Sequence, residues 1–191
     1  MLKLLVVDNY DSFTFNLVQI IEQSGLCKYH VKKSDQLGIN TVKEYDKIIF
    51  SPGPGIPYDN PIMGEIVKKF SLSKSILGIC LGFQAIAEVF GGKLVNMNKP
   101  AHGIKKEITI TDQTDYLFDG LPKNFSVGLY HSWEVSAENF PDELKITSIS
   151  GDKKIMSLSH KTFDVRGVQF HPESIMTPLG KNILCNWLSK K

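Results

Sequence analysis

The sequence predicts a single-domain doubly wound α/β fold: a mostly parallel sheet with helices on both faces and added antiparallel strands. In the first half of the chain, short apolar runs alternate with segments of helical spacing, as in parallel sheets covered on both faces. In the second half, short alternating segments are separated by turn residues, which favours antiparallel additions. The length of 191 residues suits one substantial core, so we expect one domain over 1–191.

Composition and charge exclude several classes of protein. The formal net charge of +2 is too small to predict a nucleic-acid partner. No apolar run approaches the about 20 residues of a membrane span, and residues 1–8 are interpreted as a first strand, not a signal peptide. The three cysteines are widely separated and have no metal-type spacing, which indicates free thiols. We therefore expect a cytoplasmic protein with neither nucleic acid nor membrane as a partner.

The elements of the first half are predicted in order. Strands are expected at 2–7, 29–31 and 47–50, and helices from 13 to 24 and over 62–70. The polar residues 8–12 suit a loop followed by a helix N-cap, and Ser24-Gly25 suits a helix end. The connection 35–45 carries no clear pattern. Strands that alternate with helices place ligands beyond the carboxyl ends of the strands.

The chain is organised around Cys80. A buried strand ends at this residue and an amphipathic helix follows through Phe90, so Cys80 lies on a strand-to-helix turn. Gly78 and Gly82 allow the close backbone approach of a nucleophile elbow. The positive end of the helix favours a thiolate there. Taken alone, a glycine-flanked cysteine is more often a small buried residue.

Two further segments give this cysteine possible partners. The third strand leads into Ser51-Pro52-Gly53-Pro54-Gly55, a stiff loop whose backbone amides suit an oxyanion hole or merely a tight turn. A late strand at 165–170 ends in His171-Pro172-Glu173, where residues two apart on an extended chain share one side. Together the segments supply a nucleophile, an oxyanion donor set and an oriented base, the parts that acyl transfer needs.

The remaining second-half elements are short. After a helix end at Gly91-Gly92, alternating segments are predicted to form antiparallel strands, and a closing helix is expected over 179–188 with Thr177 as its N-cap. The alternating segments are 93–97, 105–110, 127–130, 133–136, 144–149 and 155–159.

These motifs resemble the class I (triad) glutamine amidotransferases over nearly the whole chain. The resemblance rests on residues 52–55, 78–84 and 167–174. The segment Asp8-Asn9-Tyr10-Asp11-Ser12-Phe13-Thr14 looks like the signature of the small subunits of anthranilate synthase and aminodeoxychorismate synthase. The resemblance implies a glutaminase subunit that delivers ammonia to a separate chorismate-binding large subunit, with no metal or organic cofactor of its own.

The resemblance also implies a role for each site residue. Cys80 would be the nucleophile, His171 the general base and acid, and Glu173 the group that orients the imidazole. Backbone amides near Gly53 and of Leu81 would hold the oxyanion. Glutamine would be held by the loop and by residues on later elements. This substrate-binding set comprises Gly53, Pro54, Gly55, Leu81, Gln84, Ser132 and Trp133.

Two departures and several alternatives accompany the resemblance. Relatives often have Leu where this chain has Trp133, and many read Met-His-Gly-Lys at Ala101-His102-Gly103-Ile104, a segment expected near the partner. The alternatives are another amidotransferase branch of the guanylate or carbamoyl-phosphate type, a γ-glutamyl hydrolase, and a non-catalytic binding subunit. The intact Cys80, His171 and Glu173 argue against the last of these. Whether tryptophan or folate synthesis is served stays open.

Overall fold

The computed structural model describes residues 1–190, which form one nine-stranded sheet and four α-helices. The strands are β1 (Leu2–Asp8), β2 (Cys27–Lys33), β3 (Lys47–Phe50), β4 (Ser75–Ile79), β5 (Leu94–Ile110), β6 (Asn124–Val135), β7 (Leu144–Ser150), β8 (Ile155–His160) and β9 (Val165–Val168). The helices are α1 (Thr14–Ser24), α2 (Ile62–Phe70), α3 (Leu81–Val89) and α4 (Gly180–Ser189). The predicted fold class is confirmed.

The sheet has a parallel half and an antiparallel half. Its strand order is β2-β1-β3-β4-β9-β8-β7-β5-β6, and the first five strands run parallel. From β8 onward, neighbouring strands are antiparallel. β9 lies directly beside β4, although β5 to β8 come between them in the sequence. The last strand of the parallel half, β9, therefore follows all the strands of the antiparallel half in the sequence.

Two apolar clusters cover the two faces of the parallel half. On β1, Leu4 and Val6 belong to the cluster that includes side chains of α1 and α4. Leu5 and Val7 belong to the other cluster, with side chains of α2 and α3. All four residues are fully buried. Alternate side chains point to opposite faces of a strand, which explains why this strand needs a continuous apolar run.

The predicted elements of the first half agree closely with the structure. β3 and α2 have the predicted bounds, and β2 extends two residues beyond its prediction at each end. The connection at 35–45 contains two short 3-10 helices, Ser34–Gln36 and Thr41–Glu44. No helix among residues 1–190 is long and apolar enough to cross a membrane.

Several predicted boundaries are wrong. The segments 93–97 and 105–110 are one strand, β5, and 127–130 and 133–136 are likewise joined within β6. A bulge at 97–100 and a second irregularity at Gly103 interrupt the pairing without ending the strand.

The predicted N-caps of α1 and α4 are also wrong, whereas the predicted end of α1 at Ser24-Gly25 is confirmed. α4 begins at Gly180 with Leu179 in the cap position, and Thr177 lies outside the helix. The Thr177 hydroxyl instead donates to the His171 carbonyl at 2.7 Å and accepts from the Gly128 N–H at 2.9 Å. α1 begins after Phe13, with no side-chain cap from the polar residues before it. In both places the polar side chains stabilise loops beside the candidate site.

Candidate active site

Cys80 occupies a strained turn between β4 and α3. Its φ of 50° and ψ of −97° are unfavourable for a residue with a side chain. A Cβ on Gly78 would lie 2.3 Å from the Gly82 carbonyl carbon, so strand and helix touch through backbone here. The Cys80 N–H donates to the Val168 carbonyl at 2.8 Å, which ties the turn to β9. The predicted elbow is therefore present, and Leu81 starts the helix, where N–H groups lack intrahelical acceptors.

His171 and Glu173 form a buried pair beside this turn. His171 Nδ1 lies 2.7 Å from Glu173 Oε1, and both side chains are almost completely buried. The segment is not extended as predicted, because β9 ends at Val168 and the Ser174 N–H donates to the His171 carbonyl at 3.2 Å. A turn, rather than strand alternation, brings the two side chains together.

The charge state of His171 is set by its neighbours. Burial lowers the pKa of His171, but the nearby Cys80 sulfur and the Glu173 carboxylate outweigh burial and raise it to about 10. His171 Nε2 has no hydrogen-bond partner within residues 1–190, and the Cys80 sulfur instead accepts from Gln169 Nε2 at 3.5 Å. Cys80 and His171 are thus neighbours, and no other side chain of residues 1–190 bonds to Nε2 of His171.

Two aromatic rings fix the imidazole plane. Phe13 meets His171 edge-on at 5.6 Å between ring centroids, and Tyr130 does so at 5.0 Å. Phe13 and Tyr130 also pack on each other at 5.0 Å. Phe13 belongs to segment 8–14, the part of the sequence that resembles the small subunits of anthranilate and aminodeoxychorismate synthases. The sequence does not predict that its ring packs on His171. The contact joins the loop before α1 to β6 and the end of β9, so local patterns in the sequence do not reveal it.

A cavity of about 510 Å³ opens in front of Cys80. All seven predicted substrate-binding residues line it, whereas His171 and Glu173 lie outside the lining. The lining also includes residues that were not predicted as site residues. The complete lining is Tyr10, Asp11, Ser12, Gly53, Pro54, Gly55, Cys80, Leu81, Gln84, His102, Tyr130, His131, Ser132 and Trp133.

A chain of amide side chains connects the cavity wall to the cysteine. Gln84 Nε2 donates to the Trp133 carbonyl at 2.9 Å and to Gln169 Oε1 at 3.2 Å, and Gln169 in turn donates to the Cys80 sulfur. Gln84 is on α3, as predicted. Gln169 is absent from the predicted site residues, although it directly follows β9 and lies two residues before His171, a spacing that could have suggested it.

The loop at 51–55 is held by the segment after β1. The Asn9 N–H donates to Ser51 Oγ at 2.9 Å, and Asn9 Nδ2 donates to the Ser51 carbonyl at 2.8 Å. Asn60 Nδ2 donates to Asn9 Oδ1 at 2.6 Å. Asn9 is buried, so these bonds are shielded from water. They hold the start of the loop at 51–55 against the segment that follows β1.

The antiparallel half of the sheet curls back to complete the site. In a flat sheet of this order, β6 would lie about 24 Å from β4, five strand spacings away. The His171 N–H nevertheless donates to the Gly128 carbonyl of β6 at 3.0 Å. The curl brings Ser132 and Trp133 to the cavity that Cys80 faces. Residues 1–190 contain no group of three His, Cys, Asp or Glu side chains placed to hold a metal ion.

Comparison with known proteins agrees with this architecture. The family model of class-I glutamine amidotransferases matches residues 5–191. A Haemophilus influenzae protein that carries the name of anthranilate synthase component II is 44% identical over 188 residues, covering 98% of this chain and 96% of that protein. The Bacillus subtilis aminodeoxychorismate/anthranilate synthase component 2 is 39% identical, covering 97% and 95%.

A solved structure extends the comparison to a further branch. A Thermoplasma acidophilum protein described as a GMP synthase subunit is 27% identical and superposes with a TM-score of 0.88. The superposition covers 98% of this chain and 92% of that protein. The likeness therefore extends to a protein described for a different pathway.

The fold, the elbow and the family match define an enzyme class: the chain belongs to the class-I glutamine amidotransferases. Within that family, its relatives at about 40% identity over nearly their full length are component 2 proteins of anthranilate and aminodeoxychorismate synthases. The resemblance inferred from the motifs is confirmed.

Proposed function

We propose that the chain hydrolyses glutamine through Cys80, His171 and Glu173 and passes ammonia to a chorismate-binding component I. The observation that carries the proposal is the buried 2.7 Å His171–Glu173 pair beside a strained cysteine that faces a cavity. A nucleophile, a base and an orienting group for that base are the minimum set for acyl transfer by a thiol.

The reaction proceeds in two halves. The Cys80 thiolate attacks the side-chain amide carbon of glutamine, and the negative oxygen is held by backbone N–H groups near Gly53 and of Leu81. His171 Nε2 then protonates the amide nitrogen as the C–N bond breaks, so ammonia leaves and a γ-glutamyl thioester forms. His171 next takes a proton from water, which attacks the thioester and releases glutamate and the thiolate.

Glu173 serves the histidine rather than the substrate. Its carboxylate accepts from Nδ1, which leaves Nε2 toward the reacting atoms, and its charge favours the imidazolium. Neither half-reaction requires a metal or organic cofactor in this subunit.

The product depends on the partner. The relatives described above are named for anthranilate synthase, for aminodeoxychorismate synthase or for both, so we propose that ammonia goes to either or both of these chorismate-aminating reactions. The names imply a synthase partner for those proteins, and the same assembly is proposed here.

The test is glutamate release by the purified chain, alone and with each chorismate-binding large subunit of its organism. We expect one or both partners to stimulate release and to yield anthranilate or aminodeoxychorismate. If neither partner gives release or product, the chorismate assignment is refuted. Ammonia supplied directly to the partner is the control, because it bypasses this chain.

A further inference from the structure

The strand that carries Ser132 and Trp133 is irregular where it reaches the cavity. The pairing of β5 with β6 passes from Asn96 opposite Trp133 to Ala101 opposite His131. Residues 97–100 of β5 therefore lie opposite the single residue Ser132. Such a bulge disrupts the ladder of backbone hydrogen bonds. The orientation of the Ser132–Trp133 backbone then depends on other groups.

Two side chains supply those groups. The Trp133 carbonyl lies 2.8 Å from His131 Nδ1 and accepts from Gln84 Nε2 at 2.9 Å. A carbonyl oxygen has two lone pairs and can only accept, so His131 Nδ1 carries a hydrogen. Both lone-pair directions of this carbonyl are thereby used. The Trp133 carbonyl is therefore held by Gln84 on α3 and by His131 on β6.

The imidazole of His131 is suited to a fixed structural bond rather than to proton transfer. Burial lowers the pKa of His131, and although Glu134 acts to raise it, that carboxylate is itself paired with Lys154. A neutral ring with a hydrogen on Nδ1 has a bare Nε2. In the described part of the chain, Nε2 of His131 is buried and has no partner.

We propose that His131 is a positioning residue for glutamine: its Nδ1–H holds the Trp133 carbonyl and so fixes the peptide that faces the substrate. The inference rests on the proposed function and on the predicted place of Ser132 and Trp133 in the glutamine site, whose cavity both residues line. His131 neither attacks the substrate nor transfers a proton to it.

The test compares His131→Ala, His131→Asn and His131→Gln in the complex with component I. Asn places an amide donor near the position of Nδ1, whereas Gln places its donor near that of Nε2. In His131→Ala and His131→Gln, we expect the KM for glutamine to rise by about 10- to 100-fold, because the carbonyl loses a buried donor. In His131→Asn the KM should stay within about 3-fold of the wild-type value.

Two readouts separate positioning from general loss of structure. The kcat and the rate of Cys80 alkylation by iodoacetamide should change little in all three variants. The matched control is His160→Asn, a substitution of another buried histidine, which packs between Phe90 and Phe163 away from the cavity. It should lower the melting temperature without changing the KM for glutamine.

Specific outcomes overturn the inference. An unchanged KM in His131→Ala would refute positioning, and a fall in kcat at constant KM with an altered pH profile would assign His131 to proton transfer. Equal KM values for the Asn and Gln variants would show that Nδ1 is not the important atom. A wild-type complex that releases no glutamate would instead refute the proposed function itself.

Discussion

Replacing Glu173 with Gln changes the charge beside His171 with little change in shape. The carboxylate is completely buried and accepts from His171 Nδ1 at 2.7 Å. A Gln amide in the same place can accept through its oxygen or donate through its nitrogen. If the amide donates, Nδ1 of His171 must accept and therefore carries no hydrogen. The hydrogen is then on Nε2, so Nε2 cannot act as a base.

The expected fall in activity of Glu173→Gln follows from two effects, the weaker hydrogen bond and the wrong tautomer. A buried hydrogen bond to a charged group contributes about 1.5–3 kcal/mol, or about 10- to 150-fold in rate if it is lost only in the transition state. The tautomer error adds to this, since the equivalent amide substitution in a serine protease triad lowers kcat by about 10⁴-fold. We therefore expect glutamine-dependent kcat/KM to fall by about 10²- to 10⁴-fold.

The pH dependence of kcat provides an independent test of the role of Glu173. Glu173 acts to raise the pKa of His171, so its neutralisation lowers that pKa. His171 then loses its proton at lower pH, and the basic limb of the kcat profile should move to lower pH. The assay is glutamate release by the complex, with ammonia-dependent product formation and the exposed variant Glu65→Gln as controls. A kcat/KM within 10-fold of wild type and an unmoved basic limb would together refute the role given to Glu173.

Three further substitutions test other parts of the site. Cys80→Ala should abolish glutamine-dependent synthesis and leave ammonia-dependent synthesis by the partner intact; loss of both activities would make Cys80 structural. Gly78→Ala places a Cβ 2.3 Å from a backbone carbon, so we expect overpacking to lower the free energy of unfolding by about 3 kcal/mol. The melting temperature should fall by about 6–12 °C, and an unchanged melting temperature would contradict the close approach. Asn9→Ala removes the side-chain hydrogen bonds of Asn9 to the Ser51 carbonyl and to Asn60, so the free energy of unfolding should fall by about 1–3 kcal/mol, measurable by urea titration, and the KM for glutamine should rise. Equal stability would show that these side-chain bonds are not important.

The sequence predicts those elements whose limits are set locally. β3 and α2 have bounds that apolar patterns and flanking prolines define, and both are confirmed. The alternating pattern predicts separate strands at 93–97 and 105–110, whereas pairing with β6 makes them parts of one strand with two irregularities. Pairing with β6, rather than the local sequence pattern, sets the limits of β5. Thr177 followed by Pro178 predicts a helix N-cap, but the Thr177 hydroxyl bonds to Gly128 on β6 and to His171.

The candidate site also contains residues that local sequence predicts and residues whose role depends on tertiary contacts. Cys80 and the loop at 53–55 carry local signals, and the structure brings both to one cavity. The packing of Phe13 on His171 joins residues far apart in the chain, and no pattern in the sequence predicts it. His131 carries no motif of its own beyond its place before Ser132. Its importance depends on a bulge in the neighbouring strand, which only the paired structure reveals.

The position of β9 beside β4 bears on how the enzyme is made. During synthesis the chain emerges from its N-terminus, so the strand that leads to Cys80 has an unpaired edge until residues 165–168 have left the ribosome. The N–H of Cys80 also finds its acceptor only then, in Val168. His171 and Glu173 follow within a few residues. An incomplete nascent chain therefore contains the thiol without the base proposed for it, and a chain that terminates before residue 171 is expected not to release ammonia.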